Sequence, residues 1–310
     1  MSRLADAVVP PRLGGSFRWL LASSWTTNLG DGIALAAGPL LVASMTGDAF
    51  VVALAATVHW LPPLLFGLAA GAVTDRLDRR LVVAGVDLAR VVVLALLTLA
   101  IIGDQVSIVV VLAALFVLGT AEVFADNASQ TLAPMLVARD DLALANSRLV
   151  TGFVTLNYLT GPPLGAALFT AGAAWAFGAQ AVVVALGAVF ITRVVLPATG
   201  RDHARRPHLR HDVGESLRWV ARQAAVRTLV LSIFIFNITY GAAWSVLVLY
   251  AMQRLGLGEV GYGLVATANA AGGLVGTLCY GTITARVSLG DLMRIGLVIE
   301  TLTPIFALLS

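Results

Sequence analysis

The amino-acid sequence predicts an all-α polytopic membrane protein. Of its 310 residues, 59% are hydrophobic and only 12% are charged, whereas about a quarter of the residues in a soluble domain carry charge. Uninterrupted apolar stretches recur along the whole chain. A helix needs about 20 such residues to cross the hydrocarbon core of a bilayer, so each stretch predicts one membrane-spanning helix.

The chain contains about nine apolar stretches, and polar linkers separate them. Six of them precede the longest linker and three follow it. The predicted spans cover about residues 18–45, 50–73, 81–102, 106–128, 149–170, 174–196, 228–252, 261–285 and 292–310.

Basic residues occur in alternate linkers of the first six spans. The linkers after the first, third and fifth spans contain no arginine, whereas those after the second, fourth and sixth spans do. Because positive side chains are retained on the cytoplasmic side, we predict a multi-pass protein of a bacterial inner membrane with its N-terminus in the cytoplasm. The cytoplasmic arginines that decide this include Arg3, Arg12, Arg18, Arg76, Arg79, Arg80, Arg139 and Arg148.

The long polar linker divides the chain into three parts. Residues 1–196 are predicted to form an N-terminal six-helix bundle, and residues 197–227 a cytoplasmic linker with an amphipathic helix on the membrane surface. Residues 228–310 are predicted to start a second bundle, which stops after about three helices. The Gly-x-x-Thr-x-Arg pattern of residues 71–76 recurs at residues 281–286, so we expect a duplicated six-span unit and a chain that is a fragment of a twelve-span protein.

The linker after the second span is unusually rich in charge, because Asp75 to Arg80 are two acids, three arginines and one leucine. Gly71 precedes it and lets two helix ends approach closely. The tendency of positive side chains to stay on the cytoplasmic side explains the arginines of this linker, but it does not require the two acids. We therefore expect a conformational lock between two bundles, made of ion pairs that break when the bundles move. A role in topology alone is the alternative.

Partners for this lock are present at a similar predicted depth. The third span contains Asp87 and Arg90, and the fourth span contains Glu122 and Asp126. Ionisable side chains inside a membrane are expected to face the protein interior and to pair. We predict the pairs Arg90 with Glu122 and Arg79 with Asp126; static ion pairs that only hold helices together are the alternative.

Asp31 is predicted to lie midway in the first span, with no basic residue nearby in sequence. Such a carboxyl group is a candidate proton carrier or a contact for a cationic substrate, although a hydrogen-bonding role at a glycine-softened kink would also explain it. Glu300 in the last apolar stretch has the same ambiguity. Further candidates for the proton or substrate site are Asn157, Asn237, Tyr240 and Trp244, of which the last three share one helix face.

The fifth span contains Gly161, Pro162, Pro163 and Gly165. The two glycines have the spacing that permits close helix packing, and the prolines predict a kink, which neighbouring helices can stabilise inside a membrane. A kinked helix with a glycine face is suited to a bundle interface that rocks. A bent helix that only packs is the alternative.

The segment from Gly71 to Arg80 resembles the loop signature of the major facilitator superfamily, G-x-x-x-D-R-x-x-R-R, with Asp78 where many members have glycine. Residues 28–33 and the Ala-Asn pair at 145–146 resemble the branch that contains macrolide and siderophore exporters. Residues 161–166 resemble the antiporter motif G-P-x-x-G-G of that superfamily, with Ala166 in place of the last glycine.

This resemblance implies a twelve-helix fold of two six-helix bundles, alternating access and export driven by the proton gradient. It also implies that Asp75 and Arg79 take part in the lock, with Asp126 on the fourth helix as their partner. We expect Arg76 and Arg80 to belong to the same lock. We therefore expect a secondary transporter for proton-coupled efflux of amphipathic small molecules of the drug, macrolide or siderophore type.

The expected partners are the bilayer, the small-molecule substrate and protons, and the protein is expected to be a monomer that needs no cofactor, metal or nucleic acid. Two other classes of function stay open. One is a membrane-embedded enzyme that uses Asp75 and Asp78 as a metal-binding pair, although the adjacent arginines disfavour a divalent cation. The other is a membrane receptor or assembly subunit that transports nothing.

Overall fold

The computed structural model describes residues 10–74, 77–196, 218–219, 221–284, 286–288, 290–292, 294–299 and 302. Five of its helical stretches, those containing α1, α3, α4, α7 and α8, are long and apolar enough to cross a membrane. The α-helices with both ends among the described residues include α1 (Gly14–Met45), α2 (Ala49–Thr74), α3 (Arg79–Ile102), α4 (Ile108–Leu136), α5 (Leu142–Gly152), α6 (Gly161–Ala171), α7 (Ala173–Thr192), α8 (Ala224–Leu249) and α9 (Glu259–Thr284).

The fifth predicted span is one continuous helix made of three parts. A π-helical segment, Phe153–Thr160, joins α5 to α6 without a break. The span therefore begins at Leu142, earlier than the residue 149 predicted from hydropathy. A π-helical segment shifts the backbone hydrogen bonds by one residue and is often found at functional sites.

Side chains in the linkers fix where several spans begin. Asp48, Asp78 and Ser107 each accept a hydrogen bond from a backbone N–H two or three residues later, at 2.8, 3.0 and 3.3 Å. Such caps satisfy backbone donors that the first turn of a helix leaves without a partner. Asp78 therefore has a structural role in the charged linker, as the cap of α3.

The α4 helix is longer than predicted, because it continues past residue 128 to Leu136. The polar residues that resembled a linker make hydrogen bonds within the helix: Asn127 donates to the Val123 carbonyl and Thr131 to the Ala128 carbonyl, both at 2.8 Å. Polar side chains that bond back to their own helix do not interrupt it. As a result, the acidic residues of α4 lie further from the end of the helix than the sequence suggested.

Two apolar core clusters lie at different levels along α1. One contains residues of its first turns, such as Phe17 and Leu20, and the other contains residues from Ile33 to Val42. The stretch between them, residues 22–32, carries most of the polar side chains of α1. The fold therefore places a polar layer between two apolar cores.

The chain divides into two compact units. The first consists of Met1–Pro197 and Ser245–Thr277, and the second of Ala198–Trp244 and Leu278–Ser310. In the first unit, Val248 and Tyr262 are buried in the same apolar cluster as the later turns of α1. The three-part division at residues 196 and 228 remains a prediction.

Candidate functional site

Arg90 on α3 is the centre of a buried ion-pair network in the polar layer. Its Nη2 donates to Asp31 Oδ1 on α1, and its Nη1 donates to Asp87 Oδ1, one turn earlier on α3, at 3.3 Å. The side chains of Arg90 and Asp87 are 3% and 1% exposed. Asp31 is therefore not the isolated carboxyl group that the sequence suggested, because a neighbouring helix supplies its counter-charge.

Two further acids surround the same arginine. Glu122 and Asp126 are one turn apart on α4, and the charges of Arg90 and Asp31 act on both of them. The charge of Glu122 also acts on Arg90, whose hydrogen bonds go to Asp31 and Asp87; the pair of Arg90 with Glu122 stays a prediction. The acids that interact with this one guanidinium therefore come from three helices.

Asp126 differs from the other acids in its exposure. It is exposed, whereas Glu122 is half-buried and Asp87 is buried. The cluster therefore has a buried end, at Asp87 and Arg90, and an exposed end at Asp126.

Several polar atoms near this layer are buried without a hydrogen-bond partner among the described residues. They are Asp87 Oδ2, Arg90 Nε and Gln180 Oε1. Gln180 lies on α7 and packs near Gly30 of α1. A Cβ atom added at Gly30 would lie 3.5 Å from Gln180 Cγ. Sequence reasoning missed this residue, because a single amide in an apolar stretch has no distinguishing pattern.

The fifth span crosses α1 next to Asp31, and glycines on both helices make the contact. A Cβ atom at Gly32 would lie 2.5 Å from the Asn157 carbonyl oxygen, and one at Gly161 would collide with Gly32. A Cβ atom at Gly165 would collide with the backbone of Ile33. The glycine face predicted in the fifth span thus packs on α1, and it brings the buried residue Asn157 beside the polar layer.

The prolines of the fifth span contact α9. Pro163 has no N–H to donate to the carbonyl of Leu159, four residues earlier. Instead, Thr267 Oγ1 on α9 donates to that carbonyl at 3.2 Å. A Cβ atom at Gly263 would lie 2.9 Å from the Pro162 carbonyl oxygen, so α9 packs closely against the proline segment.

The charged linker is only partly described, since Asp75 and Arg76 lie outside the described residues. Arg80 Nη1 donates to the Val194 carbonyl just after the end of α7, at 3.0 Å. Arg79 Nη1 contacts Met135 Sδ at 3.2 Å. Arg80 therefore stabilises the end of α7, where a positive charge is favourable.

The length of α4 bears on the predicted pair of Arg79 with Asp126, which stays a prediction. Asp126 lies ten residues before Leu136, the last residue of that helix, which is about 15 Å along the axis. Arg79 is the first residue of α3 and contacts Met135 near the end of α4. The charge of Arg90 acts on Asp126.

The predicted face of α8 belongs to the second unit and forms an aromatic stack. The Tyr240 ring lies 5.9 Å from that of Phe236 and 5.8 Å from that of Trp244, with interplanar angles of 9° and 15°. Asn237 Nδ2 donates to the Ile233 carbonyl of its own helix at 2.8 Å. Glu300 lies outside the described residues.

Within the part of the chain that the structure describes, no group of three or more His, Cys, Asp or Glu residues has an arrangement that could hold a metal ion.

Comparison with known proteins connects this fold to membrane transport. The profile of a family described as "Transmembrane secretion effector" matches residues 7–309. The multidrug efflux pump Tap of Mycobacterium tuberculosis H37Rv is 30% identical over 267 residues, which are 83% of this chain and 63% of that protein. The macrolide efflux protein A of Streptococcus pyogenes is 24% identical over 241 residues, 76% of this chain and 58% of that protein.

A solved structure has a similar fold. It is a bacterial homologue of the human lysosomal transporter Spinster, in an inward-facing and unoccupied conformation, with a TM-score of 0.67 and 14% identity. The alignment covers 90% of this chain and 64% of the other. The chain thus spans about three fifths of the length of these proteins. Because the family match covers nearly the whole chain, the chain belongs to the transmembrane secretion effector family of the major facilitator superfamily of transporters.

Proposed function

We propose that this transporter exports amphipathic small molecules in exchange for protons, by alternating access. The observation that carries the proposal is the buried network in which Arg90 joins Asp31 on α1 to Asp87 on α3, with two more acids on α4. Ionisable groups at this depth are costly in a membrane and typically belong to substrate or proton pathways.

The charges of this network do not balance. With all carboxyl groups ionised, Asp31, Asp87, Glu122 and Asp126 would carry four negative charges around the one positive charge of Arg90. An excess of like charges in a poorly solvated site is unfavourable, and bound protons or a cationic group of the substrate would remove it. Protons and a cationic substrate would then compete for the same carboxyl groups, as exchange transport requires.

Asp31 is the proposed exchange site because its ion pair connects two helices. When Asp31 is ionised, its pair with Arg90 holds α1 to α3. A proton on Asp31 removes the charge that attracts Arg90 and so weakens this connection. Binding of a proton is thereby linked to the relative position of two helices, which is the type of coupling that alternating access needs.

Other features support the proposed movement and substrate. The glycine and proline face of Gly161, Pro162 and Gly165 is proposed as the surface on which helices rock, and the linker from Gly71 to Arg80 as a conformational lock. The relatives are named as macrolide and multidrug efflux proteins. We infer substrates of the drug, macrolide or siderophore type. The stacked rings of Tyr240 and Trp244, in the second compact unit, are proposed separately as an aromatic contact surface.

We further propose a monomer in a bacterial inner membrane with its N-terminus in the cytoplasm. The alternate arginine-rich linkers of the first six spans support this orientation. The surrounding bilayer, the small-molecule substrate and protons are the proposed partners.

The decisive variant is Asp31→Asn, assayed in proteoliposomes with an imposed pH gradient and a fluorescent cationic substrate. We expect efflux driven by the gradient to fall to the level of empty vesicles, because an amide cannot carry the proton. The protein should still insert and fold, since Arg90 keeps its bond to Asp87.

The matched control is Asp104→Asn, in the exposed linker between α3 and α4, which removes the same charge outside the network and should leave efflux unchanged. Undiminished gradient-driven efflux in Asp31→Asn would contradict the assignment of Asp31. Efflux that is insensitive to the gradient in the unmodified protein would contradict proton coupling itself.

A further inference from the structure

We propose that Asp87 is a positioning residue, the permanent counter-charge that keeps Arg90 in place while Asp31 exchanges its proton. This inference rests on the proposed function and adds a division of labour between the two acids that bind Arg90. Asp31 is the partner that Arg90 can lose, and Asp87 is the partner that it keeps.

The first support is the position of the two acids on the helices. Asp87 and Arg90 are three residues apart on α3, on the same helix face, and their side chains meet at 3.3 Å. Asp31 belongs to α1. A contact within one helix turn persists when helices move as rigid bodies, whereas a contact between two helices changes. The Asp31 contact is therefore the one that motion can break.

The second support is burial. Arg90 is 3% exposed and Asp87 is 1% exposed, whereas Asp31 is 14% exposed. A buried guanidinium that loses its last counter-charge is strongly unfavourable. Without Asp87, protonation of Asp31 would remove the hydrogen-bonded counter-charge that Arg90 has on α1 and leave none on α3. With Asp87 in place, that protonation leaves one buried ion pair intact.

The remaining charged groups near this pair are consistent with the assignment. On α4, Glu122 and Asp126 lie within electrostatic range of Arg90, but both are more exposed than Asp87. On α5, the backbone carbonyl oxygen of Arg148 accepts a hydrogen bond from Trp25 Nε1 of α1 at 3.2 Å. The α6 and α7 helices carry no charged residue. Asp87 is thus the most buried acid that interacts with Arg90.

The variant Asp87→Asn tests this role. It removes a negative charge near Asp31 and leaves Arg90 free to bind Asp31 more strongly, and both changes favour the ionised form of Asp31. We therefore expect the pH of half-maximal gradient-driven efflux to fall by about one unit, the size expected when one close charge partner is lost. The variant Asp87→Glu, which keeps the charge, should restore the original midpoint.

The readout separates positioning from a merely structural role. If Asp87 only stabilises the fold, Asp87→Asn will lower the melting temperature and leave the pH midpoint unchanged, and that result would overturn the proposal. Asp104→Asn serves as the matched control and should change neither quantity. If Asp87→Asn does not yield folded protein, Asp87→Ser tests the same loss of charge: a midpoint lowered by about one unit supports the positioning role, and an unchanged midpoint overturns it.

A second measurement is independent of transport. Infrared titration of the purified protein follows the absorbance of protonated carboxylic acids. The absorbance that is lost in Asp31→Asn belongs to the Asp31 carboxyl group. We expect this absorbance to appear at lower pH in Asp87→Asn than in the unmodified protein. If the unmodified protein shows no gradient-driven efflux but this shift occurs, the proposed function fails and the positioning role of Asp87 stands. If efflux is proton-driven but the shift does not occur, the positioning role fails alone.

Discussion

Asp31 lies between two glycines that make different contacts. A Cβ atom at Gly30 would lie 3.0 Å from Val183 Cγ2, whereas one at Gly32 would lie 2.5 Å from the carbonyl oxygen of Asn157. A valine side chain can shift, but a backbone carbonyl within a helix cannot move without the helix. Gly32 therefore lets α1 and the fifth span touch, and this contact fixes the level of Asp31.

The substitution Gly32→Ala should separate these helices. We expect it to reduce the stability of the protein by about 1–3 kcal/mol, the usual size of an overpacking effect, and to lower the melting temperature in detergent. Gly85→Ala on α3 is the control, because a Cβ atom there meets nothing within 4 Å. Equal melting temperatures for the two variants would show that the helix crossing tolerates a methyl group.

For single residues, the sequence indicated which charged residues belong to the candidate site better than it indicated which of them pair with each other. Arg90, Glu122 and Asp126 were recognised because charge is rare inside a membrane segment. The partner of Arg90 depends on how α1 and α3 are rotated about their axes, which hydropathy does not specify, so Asp31 appeared isolated. Gln180 carries no charge and therefore gave no signal, although its Oε1 atom is buried without a hydrogen-bond partner among the described residues.

At the scale of elements, the fifth span is stabilised by a helix that is distant in sequence. Pro163 removes the hydrogen bond that the Leu159 carbonyl would accept within the helix, and the hydroxyl group of Thr267 replaces it from α9. At the end of α6, Thr170 Oγ1 bonds to Glu259 Oε2 at 3.1 Å. Neighbouring helices commonly satisfy groups that a proline frees inside membranes, and here α9 does so.

We expect Thr267→Val to weaken the contact between α9 and the fifth span. Valine keeps the shape of threonine but leaves the half-buried Leu159 carbonyl without this donor, a hydroxyl that is shared with the Gly263 carbonyl of α9. We expect a loss of about 0.5–1.5 kcal/mol. The melting temperature in detergent should fall accordingly. In the control Thr239→Val, the hydroxyl that is lost bonds only within α8, so a smaller effect is expected. An equal decrease in both variants would argue against the contact with α9.

The existence of these helices followed from hydropathy, but their ends did not. The α4 helix continues to Leu136 because amide and hydroxyl side chains at its polar end bond to the carbonyls of the helix itself. Because of this extension, the residue that Arg79 contacts is Met135, near the end of the helix. Hydropathy placed that end too early, and the pair of Arg79 with Asp126 stays a prediction.

At the scale of the whole molecule, the first six spans do not form the first compact unit alone. Ser245–Thr277, from the end of α8 into α9, belongs to it as well, with Val248 and Tyr262 buried in its apolar core. A contact between parts so far apart in sequence cannot be derived from the periodicity of either part. The motif of residues 71–80, in contrast, was sufficient to indicate the superfamily, because its glycine, acid and arginines have a specific spacing.

The proposed orientation of this molecule can be tested with single cysteines, since the chain contains only one, Cys279. In a Cys279→Ser background, Gln105→Cys introduces a thiol in the linker after α3, and Ala138→Cys introduces one after α4; both residues are exposed. The linker that contains Arg139 should be cytoplasmic by the positive-inside rule. A membrane-impermeant maleimide should therefore label Gln105→Cys in intact cells and Ala138→Cys only after the cells are permeabilised. The opposite pattern would reverse the orientation, and it would place Asp126, the exposed end of the acidic network, toward the other side of the membrane.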